Sequence, residues 1–145
     1  MRRRDLLKFL SLGTGAMMFP GATANAAAPV LKFRELYVRG DELSDLTKSL
    51  DGKTVQMTGY MAPPLKPEVR FFVLTKLPMS VCPFCESEAQ WPDDFVVAYC
   101  DDPIDVVRYT DLIDVEGKLE IGFWKDPETQ FVSLIRITGA TYVKR

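Results

Sequence analysis

The sequence predicts a mainly β fold, a small five-stranded barrel with one short helix. Five segments are short apolar runs or alternate apolar and polar residues, turn residues separate them, and only one segment has the apolar spacing of a helix. A small chain of short strands removes its unpaired sheet edges when the sheet closes on itself. A β-sandwich is the alternative architecture for the same strands.

Residues 1–26 have the layout of an export signal and are left out of the predicted fold. A basic start is followed by an apolar middle and by Ala24-Asn25-Ala26, which fits the A-x-A cleavage pattern. The hexapeptide R-R-D-L-L-K at residues 3–8 matches the twin-arginine pattern. We therefore expect twin-arginine export to the periplasm and a single domain at residues 27–145. Because the apolar run is shorter than the roughly 20 residues that span a bilayer, no stable membrane span is expected after signal removal.

The predicted mature domain is acidic. Removal of residues 1–26 takes away four basic residues and one acidic residue, so the formal net charge changes from −2 to −5. Residues 82–116 contain ten Asp and Glu but only one basic residue, Arg108. An acidic protein gains nothing from counterion release on a polyphosphate, so nucleic acid is not an expected partner. The acidic run is typical of a solvated face, or of a field that attracts cations or a basic partner.

The predicted helix covers residues 43–50. Asp41 or Ser44 can cap its start, and Gly52 can adopt the left-handed conformation just past its end. Leu43, Leu46 and Leu50 would share one face of it.

The first barrel strand is predicted at residues 53–61. Val55, Met57, Gly59 and Met61 alternate with polar residues, which indicates one buried face, and the two methionines are expected in the core. Gly59 predicts a bulge or a sharp bend within this strand. The proline-rich residues 63–67 should end it, since proline donates no backbone hydrogen bond.

Four further strands complete the predicted barrel. They are expected at residues 70–74, 95–99, 118–124 and 130 to about 143, with the last two joined across Asp126-Pro127-Glu128. The tripeptides D-G-K at residues 51–53 and E-G-K at residues 116–118 would each open a strand. This order is similar to that of an OB-type barrel, although turn chemistry alone also explains the two tripeptides.

Three cysteines carry the chemistry that the sequence suggests. The chain contains no histidine, so histidine-dependent triads and His-based zinc sites cannot be built from it. Cys82 and Cys85 form a C-x-x-C pair, which can share one metal ion or one disulfide. Cys100 ends a predicted strand near a barrel end, where it is a candidate third ligand. We expect its sulfur within about 4 Å of a Cys82 or Cys85 sulfur, the spacing of two thiolates on one zinc.

Three residues near these cysteines are possible additional ligands. The carboxylates of Glu86 and Asp101 suit zinc, whereas the thioether of Met79, at M-x-x-C-x-x-C spacing, suits copper(I). Zinc or copper(I) is therefore the expected cofactor of a thiolate site.

Several alternatives to a metal site remain open. C-P-F-C resembles a thiol-disulfide oxidoreductase dithiol, but nearby carboxylates would raise its thiol pKa values rather than lower them. The pair can also be a structural disulfide, with Cys100 a buried core residue. A third possibility needs no thiol: a barrel that binds an envelope partner through Tyr60, Pro63, Pro64 and Trp91.

Three motifs carry a family resemblance. G-Y-M-A-P-P-L at residues 59–65 is followed by F-F-V-L at residues 71–74 and C-P-F-C at residues 82–85. This order resembles an uncharacterised family of small exported bacterial proteins with a G-Y-M-x-P-L strand end and a downstream cysteine motif. The family often has a Cys-x-His arrangement where this chain has C-P-F-C, and its members tend to be seen beside ABC-type export systems. The resemblance implies an exported OB-like protein whose partner is an envelope or ABC-transporter protein.

These observations lead to one principal hypothesis. The chain is expected to be a non-enzymatic periplasmic metal-binding protein, accessory to a transporter, that holds its metal through thiolates.

Overall fold

The secondary structure is that of a mainly β protein, as the sequence predicts. The computed structural model describes residues 27–64, 68–80 and 94–145. The elements in chain order are a 3₁₀ turn at Phe33–Glu35, β1 at Tyr37–Arg39, β2 at Glu42–Leu43, α1 at Asp45–Ser49, β3 at Thr54–Met61, β4 at Phe71–Thr75, β5 at Phe95–Tyr99, β6 at Leu112–Lys125 and β7 at Val132–Lys144.

Five strands close into a barrel in the order β3-β4-β5-β7-β6. Each neighbouring pair is antiparallel except β5 and β7, which run parallel. Because β7 lies between β5 and β6, the long β6–β7 hairpin folds back to close the barrel in a Greek-key arrangement. The OB-like barrel is thereby confirmed, and the strands do not form the alternative sandwich. The small β1–β2 hairpin stands outside the barrel.

Strand alternation fills the barrel interior with apolar side chains. On β3, Val55, Met57 and Met61 are fully buried, and they pack in one cluster with Ile135 and Ile137 of β7. We call the whole buried cluster to which these residues belong, which also includes Leu31 and Phe33, the interior cluster. Met57 and Met61 are therefore core residues, as the alternation predicts.

The outer face of β4 and β5 is buried as well. Phe71, Val73, Phe95 and Val97 form a second cluster with Ala62, here called the outer cluster. Partly buried side chains pack against it, namely Val69, Met79, Tyr99 and Phe131. Burial on both faces explains why β4 and β5 are continuous apolar runs rather than alternating sequences.

The helix is shorter than predicted. Ser44 caps it, since the Thr47 amide donates to the Ser44 Oγ at 3.1 Å, and Gly52 follows it with a φ of +77°. The three leucines of the predicted face differ in burial: Leu43 and Leu50 are partly buried against the interior cluster, whereas Leu46 is 46% exposed. Thr47 is buried instead, because its hydroxyl donates to the Leu36 carbonyl at 3.1 Å and ties the helix to the preceding turn.

Gly59 and Gly117 have structural roles that differ from those predicted. The pairing of β3 with β6 continues through Gly59 without a bulge. A Cβ at Gly59 would lie 2.6 Å from the Thr75 carbonyl oxygen, so this glycine makes room for the backbone of β4. The register shifts lie instead in β6 opposite β7, between Glu116 and Lys118 and between Ile121 and Trp124. The E-G-K tripeptide therefore does not open a strand but forms a bulge inside β6, whose start was predicted six residues too late.

In the described part of the chain, no helix has the length and apolar character needed to cross a membrane. The predicted signal at residues 1–26 lies outside this part.

Candidate functional site: an acidic groove at the end of β5

The structure describes only some of the residues predicted to carry function. Cys82, Cys85, Glu86 and Trp91 lie outside the described residues, so the C-x-x-C site and its distance to Cys100 stay predictions. The remaining candidates are described: Met79, Cys100, Asp101, Tyr60, Pro63 and Pro64.

Cys100 follows the last residue of β5, and its amide donates to the Arg70 carbonyl at 2.7 Å. Strand alternation places it on the same side as Val96 and Ala98, and it packs, half-buried, against the interior cluster. Met79 packs against the outer cluster. The structure therefore puts Met79 and Cys100 on opposite sides of the β4–β5 sheet and does not bring them together.

The chemistry of the Cys100 thiol follows from this position. Burial first, and then the charges of Asp101 and Asp102, raise its pKa to about 11. The thiol is thus protonated at neutral pH, and a metal would have to displace that proton to bind the sulfur. Asp101 itself is exposed. Among residues 27–64, 68–80 and 94–145, no three Cys, Asp or Glu side chains are grouped as a metal site.

Cys100 also lines a groove of about 500 Å³ at this end of the barrel. The walls come from the segment before β4, from the adjoining ends of β4 and β5, and from the turn between β6 and β7. The described lining residues are Glu68, Val69, Arg70, Phe71, Tyr99, Cys100, Asp126, Glu128 and Thr129. We call it the acidic groove, because three of these side chains are carboxylates and one is basic.

A row of aromatic rings runs from the groove along the outer face of the sheet. Phe131 stacks on Phe71 at 5.9 Å between ring centroids, Phe71 lies 5.3 Å from Tyr99, and Tyr99 meets Trp124 edge-on at 5.3 Å. Arg136 covers the Trp124 ring at 5.4 Å. Its guanidinium is held by an ion pair with Glu120, 3.1 Å from Nε to Oε2. The aromatic wall of the groove is therefore fixed by packing before any ligand arrives.

Asp126 stabilises the turn between β6 and β7, which forms one wall of the groove. This carboxylate is only 7% exposed, and its Oδ1 accepts the amides of Glu128 at 2.8 Å and Thr129 at 3.1 Å. The Tyr99 hydroxyl is buried and faces the Asp126 carboxylate, yet it makes no well-formed hydrogen bond within the described residues. Burial first, and then the Asp126 charge, raise the pKa of Tyr99. The phenol therefore keeps its proton at any physiological pH.

The predicted partner-binding residues come shortly before the lining segment 68–71 in the sequence, but they do not line the groove. Tyr60 is half-buried near the end of β3, and Pro63 and Pro64 are half-buried just after it. The groove was missed from the sequence because its side chains come from three separated segments. The Asp126-Pro127-Glu128 turn is part of the groove, but its sequence by itself predicts a hairpin connection and no binding site.

Comparisons with known proteins bear on the fold. No protein-family model matches the chain, and no curated protein matches it. The fold is similar to the crystal structure of a DUF3299 family protein from Pseudomonas aeruginosa PAO1, with a TM-score of 0.55 and 14% sequence identity. The match covers 83% of this chain and 97% of that one. At this identity the likeness shows a shared fold and nothing about function.

Proposed function

We propose that the protein is an exported, non-enzymatic binding protein of the periplasm, and that its acidic groove holds a basic segment of an envelope or transporter partner. The observation that carries this proposal is the position of the groove. OB-type barrels bind ligands on the face of their second and third strands and on the adjoining loops. Here those elements are β4, β5, the segment before β4 and the β6–β7 turn, which together form the groove walls.

The lining determines which chemistry fits. Glu68 and Glu128 are exposed carboxylates that can accept from a partner's lysine or arginine, and Arg70 offsets only part of their charge. The half-buried ring of Tyr99, which lines the groove, offers a cation–π contact to the same group. The acidic lining repels a phosphate backbone, so the oligonucleotides that other OB-type barrels bind are not expected as ligands of this groove.

A binding role also agrees with the side chains available. A nucleophile needs an adjacent base or a lowered pKa, and the thiol of Cys100 has the opposite shift. The chain has no histidine to serve as that base.

Binding of short synthetic peptides tests this proposal. Peptides with two or three arginines should bind more tightly than peptides with glutamine at those positions. A Glu68→Gln/Glu128→Gln variant should weaken arginine-peptide binding by roughly two- to fivefold per removed charge, since exposed ion pairs contribute up to about 1 kcal/mol. The control variant Asp41→Asn/Glu42→Gln has the same net charge and changes exposed residues at the β1–β2 hairpin. Equal weakening in both variants would refute the groove as the binding site.

Metal binding through Cys82 and Cys85 is a second proposal. Met79 supports it, because this residue packs against the outer cluster and so fixes the start of the M-x-x-C-x-x-C segment on the sheet. The high pKa and the opposite facing of Cys100 favour a site of two thiolates and a thioether, which suits copper(I) better than zinc.

Elemental analysis of protein purified from its exported fraction tests the metal site. The protein should carry about one metal per chain, and Cys82→Ser/Cys85→Ser should lose it while Cys100→Ser retains it. Loss of the metal in Cys100→Ser would restore the three-thiolate site. Less than about 0.2 metal per chain in the unaltered protein would refute metal binding. A Cys82 thiol with a pKa well below about 8.5 would favour the redox alternative instead.

A further inference from the structure

A second groove, of about 450 Å³, lies at the other end of β4 and has the opposite charge. Its described lining residues are Val30, Leu31, Lys32, Phe33, Arg34, Thr58, Lys76 and Arg145. Four of them are basic and none is acidic, in a chain whose predicted mature charge is −5. We call it the basic groove.

Residues 29–34 position two of these cations. Residues 29–31 pair with β3, with the Leu31 amide donating to the Gln56 carbonyl and the Gln56 amide donating to the Pro29 carbonyl, both at 2.9 Å. Leu31 and Phe33 are buried in the interior cluster. Lys32 and Arg34, which alternate with them, are therefore held at the surface.

Within the described residues, three of the four basic side chains of the groove make no ion pair. The Arg145 guanidinium is bound by Asp114 at 3.2 Å, and the Glu35 carboxylate accepts the backbone amide of Lys32. In the described part of the chain, no ion pair involves the side chain of Lys32, Arg34 or Lys76.

Exposed apolar side chains accompany these cations. Val30 is 55% exposed in the groove, and Leu77, the neighbour of Lys76, is 62% exposed. Cations beside exposed aliphatic groups are typical of surfaces that lie at the headgroup level of a bilayer. Val30 also lies only four residues after Ala26, where the predicted signal ends, so this face of the domain adjoins the point at which the predicted signal would be attached.

We propose that the basic groove docks the protein on anionic phospholipid headgroups of a membrane surface. The phosphates would meet Lys32, Arg34 and Lys76, while Val30 and Leu77 enter the headgroup layer. Screening makes such docking compatible with a net negative protein, because charges farther away than about 10 Å contribute little at physiological salt. This site is independent of the acidic groove and of the thiols.

Co-sedimentation with lipid vesicles tests the docking surface on protein purified from the exported fraction. Binding should require anionic lipid, with vesicles containing phosphatidylglycerol binding the protein and pure phosphatidylcholine vesicles leaving it in solution. The Lys32→Gln/Arg34→Gln variant should bind at least about tenfold more weakly, since each cation near an anionic surface contributes about fivefold. The control Lys48→Gln/Lys53→Gln removes two exposed cations elsewhere and should bind like the unaltered protein. Lys76→Gln, which leaves the N-terminal segment intact, should weaken binding about fivefold and serves if the double variant does not fold.

Three outcomes would overturn the proposal. They are equal binding to both kinds of vesicle, equal loss in the test and control variants, and release from the vesicles by inorganic phosphate but not by chloride at the same ionic strength. The last result would identify a site for a soluble phosphate rather than a lipid surface.

Discussion

Replacement of Gly59 by alanine should destabilise the barrel at the point where β3 and β4 meet. An added Cβ would lie 2.6 Å from the Thr75 carbonyl oxygen, 3.0 Å from Phe33 Cε2 and 3.1 Å from Leu74 Cδ1. The nearest of these atoms belongs to the backbone, so no side-chain rotation relieves the contact. Either β4 moves away or β3 bends.

The cost follows from the pairing at this point. β3 and β4 share only two paired positions, Tyr60 with Thr75 and Met61 with Leu74. Overpacking costs about 1–3 kcal/mol and a weakened hydrogen bond about 1 kcal/mol, while alanine recovers about 0.5–1 kcal/mol of strand propensity. The free energy of unfolding should therefore fall by about 2–3 kcal/mol, which lowers Tm by about 10 °C for a domain of this size.

Thermal and urea unfolding followed by circular dichroism measures this change. Gly52→Ala is the matched control, because it adds the same methyl group where nothing lies within 4 Å, and its cost comes only from the φ of +77°. That cost should be about 1 kcal/mol. A Gly59→Ala variant as stable as Gly52→Ala would refute the close approach of β4 to Gly59.

Three further predictions concern single side chains. Alkylation of the Cys100 thiol at pH 8, mapped by mass spectrometry, should be about a hundredfold slower than alkylation of a free thiol, because the pKa of Cys100 is about 11. An alkylation rate that levels off near pH 8.5 would contradict this pKa. Asp126→Ala should cost about 1–2 kcal/mol in urea unfolding by leaving two turn amides without an acceptor, whereas Thr129→Ala should cost less. Hydrogen bonds from Lys144 first, and then from Arg108, hold the pKa of the Asp111 carboxyl below its usual value. The ionised Asp111 carboxylate therefore stabilises the fold fully above about pH 4, and this stabilisation is lost as the pH falls through the folded-state pKa. An NMR titration should show the Asp111 pKa rise in Lys144→Met, and an unchanged pKa would contradict the pairing.

Strand predictions succeeded where the pattern was uninterrupted. β3 and β5 were located to within one residue, because their apolar residues are bounded by glycine, proline and acidic turns. The start of β6 was missed although Ile113 and Val115 alternate with Asp114 and Glu116. Gly117 suggested a turn there, whereas a Cβ at this position would lie 2.6 Å from Ile137 Cγ2, so the glycine serves a bulge against β7.

The two grooves, in contrast, could not be predicted from local sequence. Tyr99, Asp126 and Glu68 are separated along the chain by up to 58 residues, and nothing in their local sequences links them. The same holds for Lys32 and Arg145, which share the basic groove although they lie near the two ends of the domain. Their assembly depends on which strand edges pair.

By itself the sequence determined the class of fold, the buried face of β3 and the chemistry that a chain without histidine lacks. These are local properties, since side chains alternate along a strand whatever its partner. The tertiary structure alone decided that β7 inserts between β5 and β6, and this closure places the β6–β7 turn beside the start of β4 to form the acidic groove. The pairing of residues 29–31 with β3 likewise creates the basic groove. Such contacts join distant segments, so the chain must be folded before they exist.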